Sequence, residues 1–243
     1  MRAIVLASLA LGACATSPPA TTGAPAAANQ AQETPAPTTT AAAPASPGGS
    51  AIAWVDYAIA PPGAFHISLP QTWQAIDPSQ LADAAALDAL KRQNPVMAPT
   101  IQQSVEQMRS GNIAFLGVDP SSASPAEPYP DSLAVARPDV GVGPDRWNEF
   151  VARNIDAVRQ QLGLQQGPTT ASVSLPAADD AVEAIYSYAL TTLDGRRITI
   201  VAQQYLVRAG DRAFVLTLTT TGERAAVRRD LFREIANRFA PQR

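Results

Sequence analysis

The chain has 243 residues, a formal net charge of −3 and charged side chains at 16% of its positions. This weakly acidic balance argues against nucleic acid as the main partner. The sequence holds one cysteine and one histidine, which excludes a disulfide within the chain and leaves too few ligands of the types that zinc prefers.

The first residues have the pattern of an export signal. Arg2 supplies a positive charge, and a mostly apolar run follows from Ala3 to Leu11. This run is shorter than the ~20 residues that span a bilayer. The next residues complete the sequence LGAC, which resembles the bacterial lipobox; the resemblance implies cleavage before Cys14 and acylation of its thiol. We predict a lipoprotein signal peptide over residues 1–13, the alternative being a plain signal peptide with a chance cysteine.

Residues 14–50 have the composition of a tether. The segment is rich in Ala, Thr, Pro, Ser and Gly, it contains no Val, Ile, Leu or aromatic residue, and Glu33 is its only charge. Such a segment cannot bury enough apolar surface to offset its chain entropy. We therefore expect a lipidated Cys14 and a disordered tether that hold a domain at a membrane of the cell envelope, on the extracytoplasmic side.

Residues 51–243 are enough for one domain with a full core. Two strands are predicted at its start, Asp56–Ala60 and Ala64–Leu69, on either side of a Pro-Pro-Gly turn. Two helices are predicted next, Pro78–Gln93 and Ala98–Arg109, with Asn-Pro between them.

The middle of the domain combines strands with a long helix. Strands are predicted over Ile113–Asp119 and Ser132–Arg137, with the proline-rich loop PSSASPAEPYP between them. Asp145–Leu162 has apolar residues at helical spacing, and Gly163 follows in the position of a C-cap.

The end of the chain has the clearest pattern. It predicts three strands, Ala181–Thr192, Arg197–Val207 and Arg212–Thr220. Short turns with Asp-Gly and Ala-Gly-Asp join them, so the strands are expected to form an antiparallel meander. A closing helix is predicted over Glu223–Phe239, and its expected apolar stripe is Val227, Leu231, Ile235 and Phe239. Helices inserted among antiparallel strands define the α+β class.

Two segments of the domain resemble PsbP-like domains. In AFHISLPQTWQAID, residues 64–77, Leu69, Pro70 and Trp73 stand at the places of the family's Leu-Pro-x-x-Trp, and the chain ends with RAFVLTLTT and a helix closing in IANRF. The family includes photosystem accessory subunits, a Ran-binding protein and bacterial lipoproteins of the LpqN type. The resemblance implies a central antiparallel sheet with helices on both faces, and binding rather than catalysis. The segment Pro78–Arg109 is an insertion relative to the family.

The sequence offers little for catalysis. It has no nucleophile elbow, phosphate loop or dinucleotide fingerprint, and we predict no catalytic residue, cofactor or metal. His66 lies in a predicted strand and is expected to be structural or to face solvent. Asp179-Asp180 is expected in a turn, although such acids could also bind a cation with other oxygens. Tyr186 and Tyr188 share one strand face, which is typical of a core or sheet surface.

The charge is unevenly distributed, because the end of the domain is basic and the rest is acidic. The closing helix carries two pairs of arginines one turn apart, Arg224 with Arg228 and Arg229 with Arg233. They could dock anionic headgroups or an acidic partner. The alternative is a solvated face that is balanced by nearby acids of the fold.

The sequence leaves three functional hypotheses open. The first is a lipid-anchored, non-catalytic protein that binds another envelope protein or a small apolar ligand. The second is an enzyme with carboxylate chemistry in a cleft near Asp119 and Asp131. The third is an anionic-lipid or glycan binder that uses the arginine helix. A deep pocket with paired carboxylates would favour the second, a contiguous basic face the third, and a broad exposed apolar patch the first.

Overall fold

The computed structural model describes residues 52–59, 65–76, 88, 92, 113–124, 127–138, 141–192 and 195–242. Its strands are β1 (Trp54–Ile59), β2 (Phe65–Pro70), β3 (Gln74–Ile76), β4 (Ile113–Asp119), β5 (Asp131–Ala136), β6 (Thr169–Val173), β7 (Asp180–Thr191), β8 (Arg197–Ala209), β9 (Arg212–Thr221) and β10 (Ala240–Pro241). Its helices are α1 (Pro144–Leu162) and α2 (Ala225–Asn237).

The strands form two sheets. The larger sheet has the order β3-β4-β5-β9-β8-β7-β6, and the smaller has the order β1-β2-β10. All recorded pairs are antiparallel. The predicted meander is confirmed as β7-β8-β9, and Gly210 lies in the β8–β9 turn with a φ of 59°, a conformation that favours glycine.

The larger sheet has a core on each face, because neighbouring residues of a strand point to opposite sides. Val215 and Ala213 of β9 belong to the cluster that includes residues of α1. Phe214 and Leu216 belong to the cluster that includes residues of α2 and of β2. The α+β class with an antiparallel sheet and helices on both faces is therefore confirmed.

Helix α1 matches its prediction closely. Its apolar stripe is buried at Trp147, Phe150 and Val158, and it ends at Gly163, which has a φ of 59° and donates its backbone N–H to the last turn. Trp73, from the family-like segment, is also buried in the α2-side core, where its ring lies 6.5 Å from that of Phe232.

Three short strands were missing from the sequence-based prediction. β3 and β10 have three and two residues, too few for an alternating pattern, and β6 is an edge strand with mostly exposed side chains. Other predicted strands lie within a few residues of the observed ones. For the two predicted helices between 78 and 109, only Asp88 and Arg92 are described, and both are helical.

The predicted stripe of α2 was wrong at its first position, because Val227 is 76% exposed. Residues four apart advance by about 400° on a helix, so a row of such residues drifts by about 40° per step. Ile235, near the end of the helix, faces the core, whereas Val227 has turned out to solvent. Phe239 is also buried, but it lies two residues beyond the end of α2, where the sequence had predicted the helix to continue. Phe232 and Ala236 complete the buried face of α2.

The amino-terminal predictions lie outside the described residues. These are the signal peptide over 1–13, the lipidation of Cys14 and the tether over 14–50. In the described part of the chain, no helix combines the length and the apolar character needed to cross a membrane.

Candidate functional site

Two acids meet at one end of the larger sheet, beneath α2. Asp119 is the last residue of β4 and Asp131 is the first residue of β5, and the strand register places them directly opposite each other. Both residues are buried, with exposed fractions of 2% and 0%. Two carboxylates in this position require cations or hydrogen-bond donors nearby, because an isolated buried charge is strongly destabilising.

Arginines at the start of α2 supply the balancing charges. Arg224 Nη2 lies 3.1 Å from Asp131 Oδ1, and Arg228 Nε lies 2.7 Å from Asp131 Oδ2. Arg228 Nη2 also lies 3.7 Å from Asp119 Oδ2. Both arginines reach Asp131 because they are one helical turn apart, and Arg228 alone also reaches Asp119. We call Asp119, Asp131, Arg224 and Arg228 the ionic cluster.

The ionic cluster fastens the loop between β4 and β5 to α2. Arg224 donates hydrogen bonds to the backbone carbonyls of Ser122 and Tyr129, and its Nη1 lies 3.5 Å from Glu127 Oε2. At the start of the loop, Ser121 Oγ donates to Asp119 Oδ1 at 2.6 Å. The cluster therefore has the contacts of a structural fastening.

The buried position of Asp131 also shifts its pKa. Burial raises the pKa of this carboxyl, and the Thr220 hydroxyl, Arg224 and Arg228 oppose that increase. Thr220 Oγ1 donates to Asp131 Oδ1 at 2.7 Å. Because the side chains of Asp119 and Asp131 are only 3% and 0% exposed, a substrate has no direct access to the paired carboxylates.

A groove lies on the other side of α2, over β7, β8 and β9. It has a volume of about 200 Å³ and is largely apolar. Its lining residues are Ile185, Val201, Gln203, Thr220, Ala225, Ala226, Arg229 and Phe232. We call it the α2 groove. No sequence motif predicted this groove, because its lining comes from three strands and a helix that are far apart in the sequence. The sequence hinted at it only through the alternation of side chains along β7 and β8, which places every second residue on the face toward α2.

Gln203, a polar lining residue of the α2 groove, is fixed by hydrogen bonds to buried neighbours. Gln203 Nε2 donates to Glu183 Oε1 at 2.7 Å and to the Tyr205 hydroxyl at 2.6 Å, and Tyr205 donates to the same carboxylate oxygen at 2.9 Å. Burial, followed by the Glu183 charge, raises the pKa of Tyr205. The phenol stays protonated, so this triad can orient the floor but cannot supply a phenolate base near neutral pH.

The four predicted arginines do not form one face. Arg224 and Arg228 are partly buried in the ionic cluster, whereas Arg229 and Arg233 are exposed. Arg229 lines the α2 groove and makes no ion pair with the described part of the chain. The alternative of a helix balanced by acids therefore describes the first pair, and the second pair keeps its charge at the surface.

The other residues that the sequence singled out have structural positions. His66 is exposed on β2, with Nε2 2.7 Å from Gln242 Nε2. Asp180 pairs with Arg208, whose Nε lies 2.7 Å from Asp180 Oδ2. Tyr186 and Tyr188 are buried in the α1-side core. The described residues include no group of three or more His, Cys, Asp or Glu side chains placed to hold a metal.

Comparison with known proteins gives similarities of fold. No protein-family model and no curated protein matches the chain. LpqN, involved in cell envelope biogenesis of Mycobacterium tuberculosis, is 13% identical with a TM-score of 0.40, covering 80% of this chain and 93% of its own. Cyanobacterial PsbP from Synechocystis is also 13% identical, with a TM-score of 0.40. The match covers 82% of this chain and 98% of the PsbP chain. The Saccharomyces cerevisiae Ran-binding protein Mog1p is 13% identical, with a TM-score of 0.41. The match covers 78% of this chain and 95% of the Mog1p chain.

Proposed function

We propose that this chain is a lipid-anchored protein of the cell envelope whose folded domain works by binding and not by catalysis. The anchoring part rests on the sequence, in which LGAC ends at Cys14 and a segment without large apolar residues separates it from the domain. Two or three acyl chains on one cysteine hold a protein firmly at a membrane.

The ionic cluster is the observation that carries the binding role. The hypothesis of an enzyme required two carboxylates in a cleft, one of which keeps a proton while the other is ionised. Asp119 and Asp131 do lie together, but both are buried and both are paired with arginines of α2. In this proposal they fix α2 on the sheet, and the partner binds at the α2 groove.

The hypothesis of a lipid or glycan binder retains part of its support. Arg229 and Arg233 are exposed and one turn apart. Two cations instead of four give a weaker attraction to an anionic surface, since each basic residue near such a surface adds ~1 kcal/mol. We therefore place binding first at the α2 groove, with Arg229 at its rim.

Anchoring is tested by changing Cys14→Ser in the full chain. The variant should be released from membranes, or remain as an uncleaved precursor, because the acylated thiol is gone. A variant that fractionates and migrates as the wild type does would contradict the lipid anchor.

Binding is tested by photocrosslinking in the native envelope. A photoreactive residue at Ala226, in the α2 groove, should give a specific adduct. The matched control is Gln165, an exposed position just after α1. Adducts of equal yield at both positions, or none at Ala226, would contradict a binding role for the groove.

A further inference from the structure

We infer that the α2 groove takes a single-chain carboxylate amphiphile, a molecule of the fatty-acid class, with its apolar chain in the groove and its carboxylate on Arg229. This inference rests on the proposed binding function and specifies its ligand. It is argued from the shape of the groove, the hydrogen bonds of its polar residues and the unpaired charge at its rim.

The groove offers mainly apolar surface to a ligand. Ile185, Val201, Ala225, Ala226 and Phe232 supply most of the lining. Its volume of about 200 Å³ lies below the 300–1,000 Å³ that is usual for pockets of drug-sized ligands. A narrow apolar chain suits this space better than a ring system or a sugar.

Two polar lining residues already have partners within the protein. The Gln203 amide nitrogen donates to Glu183 and to Tyr205, and the Thr220 hydroxyl donates to Asp131. A sugar would need several donors and acceptors along the groove to replace its hydrogen bonds to water. These two side chains give few, which favours an apolar ligand over a glycan.

Arg229 supplies the anion-binding group. It is exposed at the rim and makes no ion pair in the described part of the chain. An arginine and a carboxylate form two parallel charge-assisted hydrogen bonds. Arg233, one turn further along α2, is also exposed but is not among the residues that line the groove. The guanidinium of Arg229, the arginine that lines the apolar groove, matches one carboxylate at the end of one chain.

The test is calorimetric titration of the full chain carrying Cys14→Ser, which removes the protein's own acyl groups as competitors. The probes are sodium hexanoate, octanoate and decanoate, with 1-octanol as the uncharged control. We expect one binding site and a roughly fourfold gain in affinity per added methylene, the equivalent of ~0.8 kcal/mol. Octanol should bind at least tenfold more weakly than octanoate.

Matched variants locate the site. Arg229→Gln should weaken octanoate binding at least tenfold, and Arg159→Gln, at an exposed arginine of α1, should leave it unchanged. Ala226→Trp, at an exposed position of the groove, should abolish binding by filling it. Equal melting temperatures of the variants would show that these effects do not come from unfolding.

Two results would overturn the inference. The first is the absence of carboxylate binding to the unsubstituted groove, and the second is binding that Arg229→Gln leaves unaltered. If carboxylates fail to bind while Ala226 still crosslinks to a protein in the envelope, the ligand class is wrong and the binding function stands. If neither occurs, the proposed function itself is wrong at this groove.

Discussion

Arginines lie on both sides of α2, but they have different partners on each side. On the side of β4 and β5, Arg224 and Arg228 are tied to buried acids. On the side of β7 and β8, Arg229 lines a groove and has no acidic partner in the described residues. The comparison shows that the chemistry of an arginine here depends on which strands lie beneath it, and that helical spacing alone does not reveal it.

The largest expected effect comes from breaking the ionic side. Arg224→Gln should lower the free energy of unfolding by about 3 kcal/mol, because it leaves the buried Asp131 with one cation fewer and frees two backbone carbonyls. The control is Arg229→Gln, which removes the same group five residues further along the chain, on the side of α2 that faces the groove. Urea unfolding of both variants measures the difference. Equal losses for the two arginines would contradict the distinction between the two sides.

Asp131→Asn should cost less, about 1 kcal/mol at pH 7. Burial raises the pKa of Asp131 above its ordinary value of 3.8, so the folded state holds the proton more tightly than the unfolded state. The contribution of this group to stability is therefore greatest below pH 3.8 and is lost as the pH rises through the folded-state pKa. The variant lacks this contribution, so its deficit relative to the wild type should shrink as the pH rises above 3.8 and through the folded-state pKa.

The measurement is urea unfolding of both proteins at several pH values, since other acids affect both equally and cancel in the difference. A deficit that widens with rising pH would contradict the stated direction. It would mean that Arg224 and Arg228 outweigh burial and lower the pKa of Asp131.

Some of the residues on the two sides of α2 could be identified from the sequence. The two arginine pairs follow from their spacing, and Asp119 and Asp131 were named together, but as the carboxylates of a hypothetical enzyme cleft. The contacts of Asp131 with Arg224 and of Asp119 with Arg228 could not be predicted, because they depend on β5 pairing with β9 and on where α2 crosses the sheet. The fold class was predictable from the long alternating strands β7, β8 and β9 and from the capped helix α1.

The α2 groove was beyond sequence reasoning for a different reason. Ile185 and Val201 read as ordinary strand residues, and the groove exists only because α2 leaves part of β7 and β8 uncovered. Val227 shows the same limit, since an apolar residue at stripe spacing became exposed through the drift of the row around the helix. Periodicity identifies a helix reliably, but the edge of its buried face depends on the surface beneath it.

Thr220 lies at both the ionic cluster and the α2 groove, so a substitution there tests whether the two sites depend on each other. Its hydroxyl donates to Asp131, and the residue also lines the α2 groove. Thr220→Val keeps the shape and removes the hydrogen bond, so we expect a loss of about 1 kcal/mol in stability and less than a twofold change in octanoate affinity. Thermal unfolding and titration on one preparation provide both values. A large loss of affinity would show that the ionic cluster shapes the groove.

The smallest expected effect is the coupling between the two sides. Arg229 and Asp131 share no partner in the described structure, since Asp131 is held by Arg224, Arg228 and Thr220. Independent sites have additive effects within about 0.5 kcal/mol. The double variant Asp131→Asn/Arg229→Gln should therefore lose no more stability than the sum of its single variants, to within that margin. A double-mutant cycle by urea unfolding at pH 7 measures this term, and a coupling of 1 kcal/mol or more would mean that α2 transmits the charge state of the buried cluster to the groove.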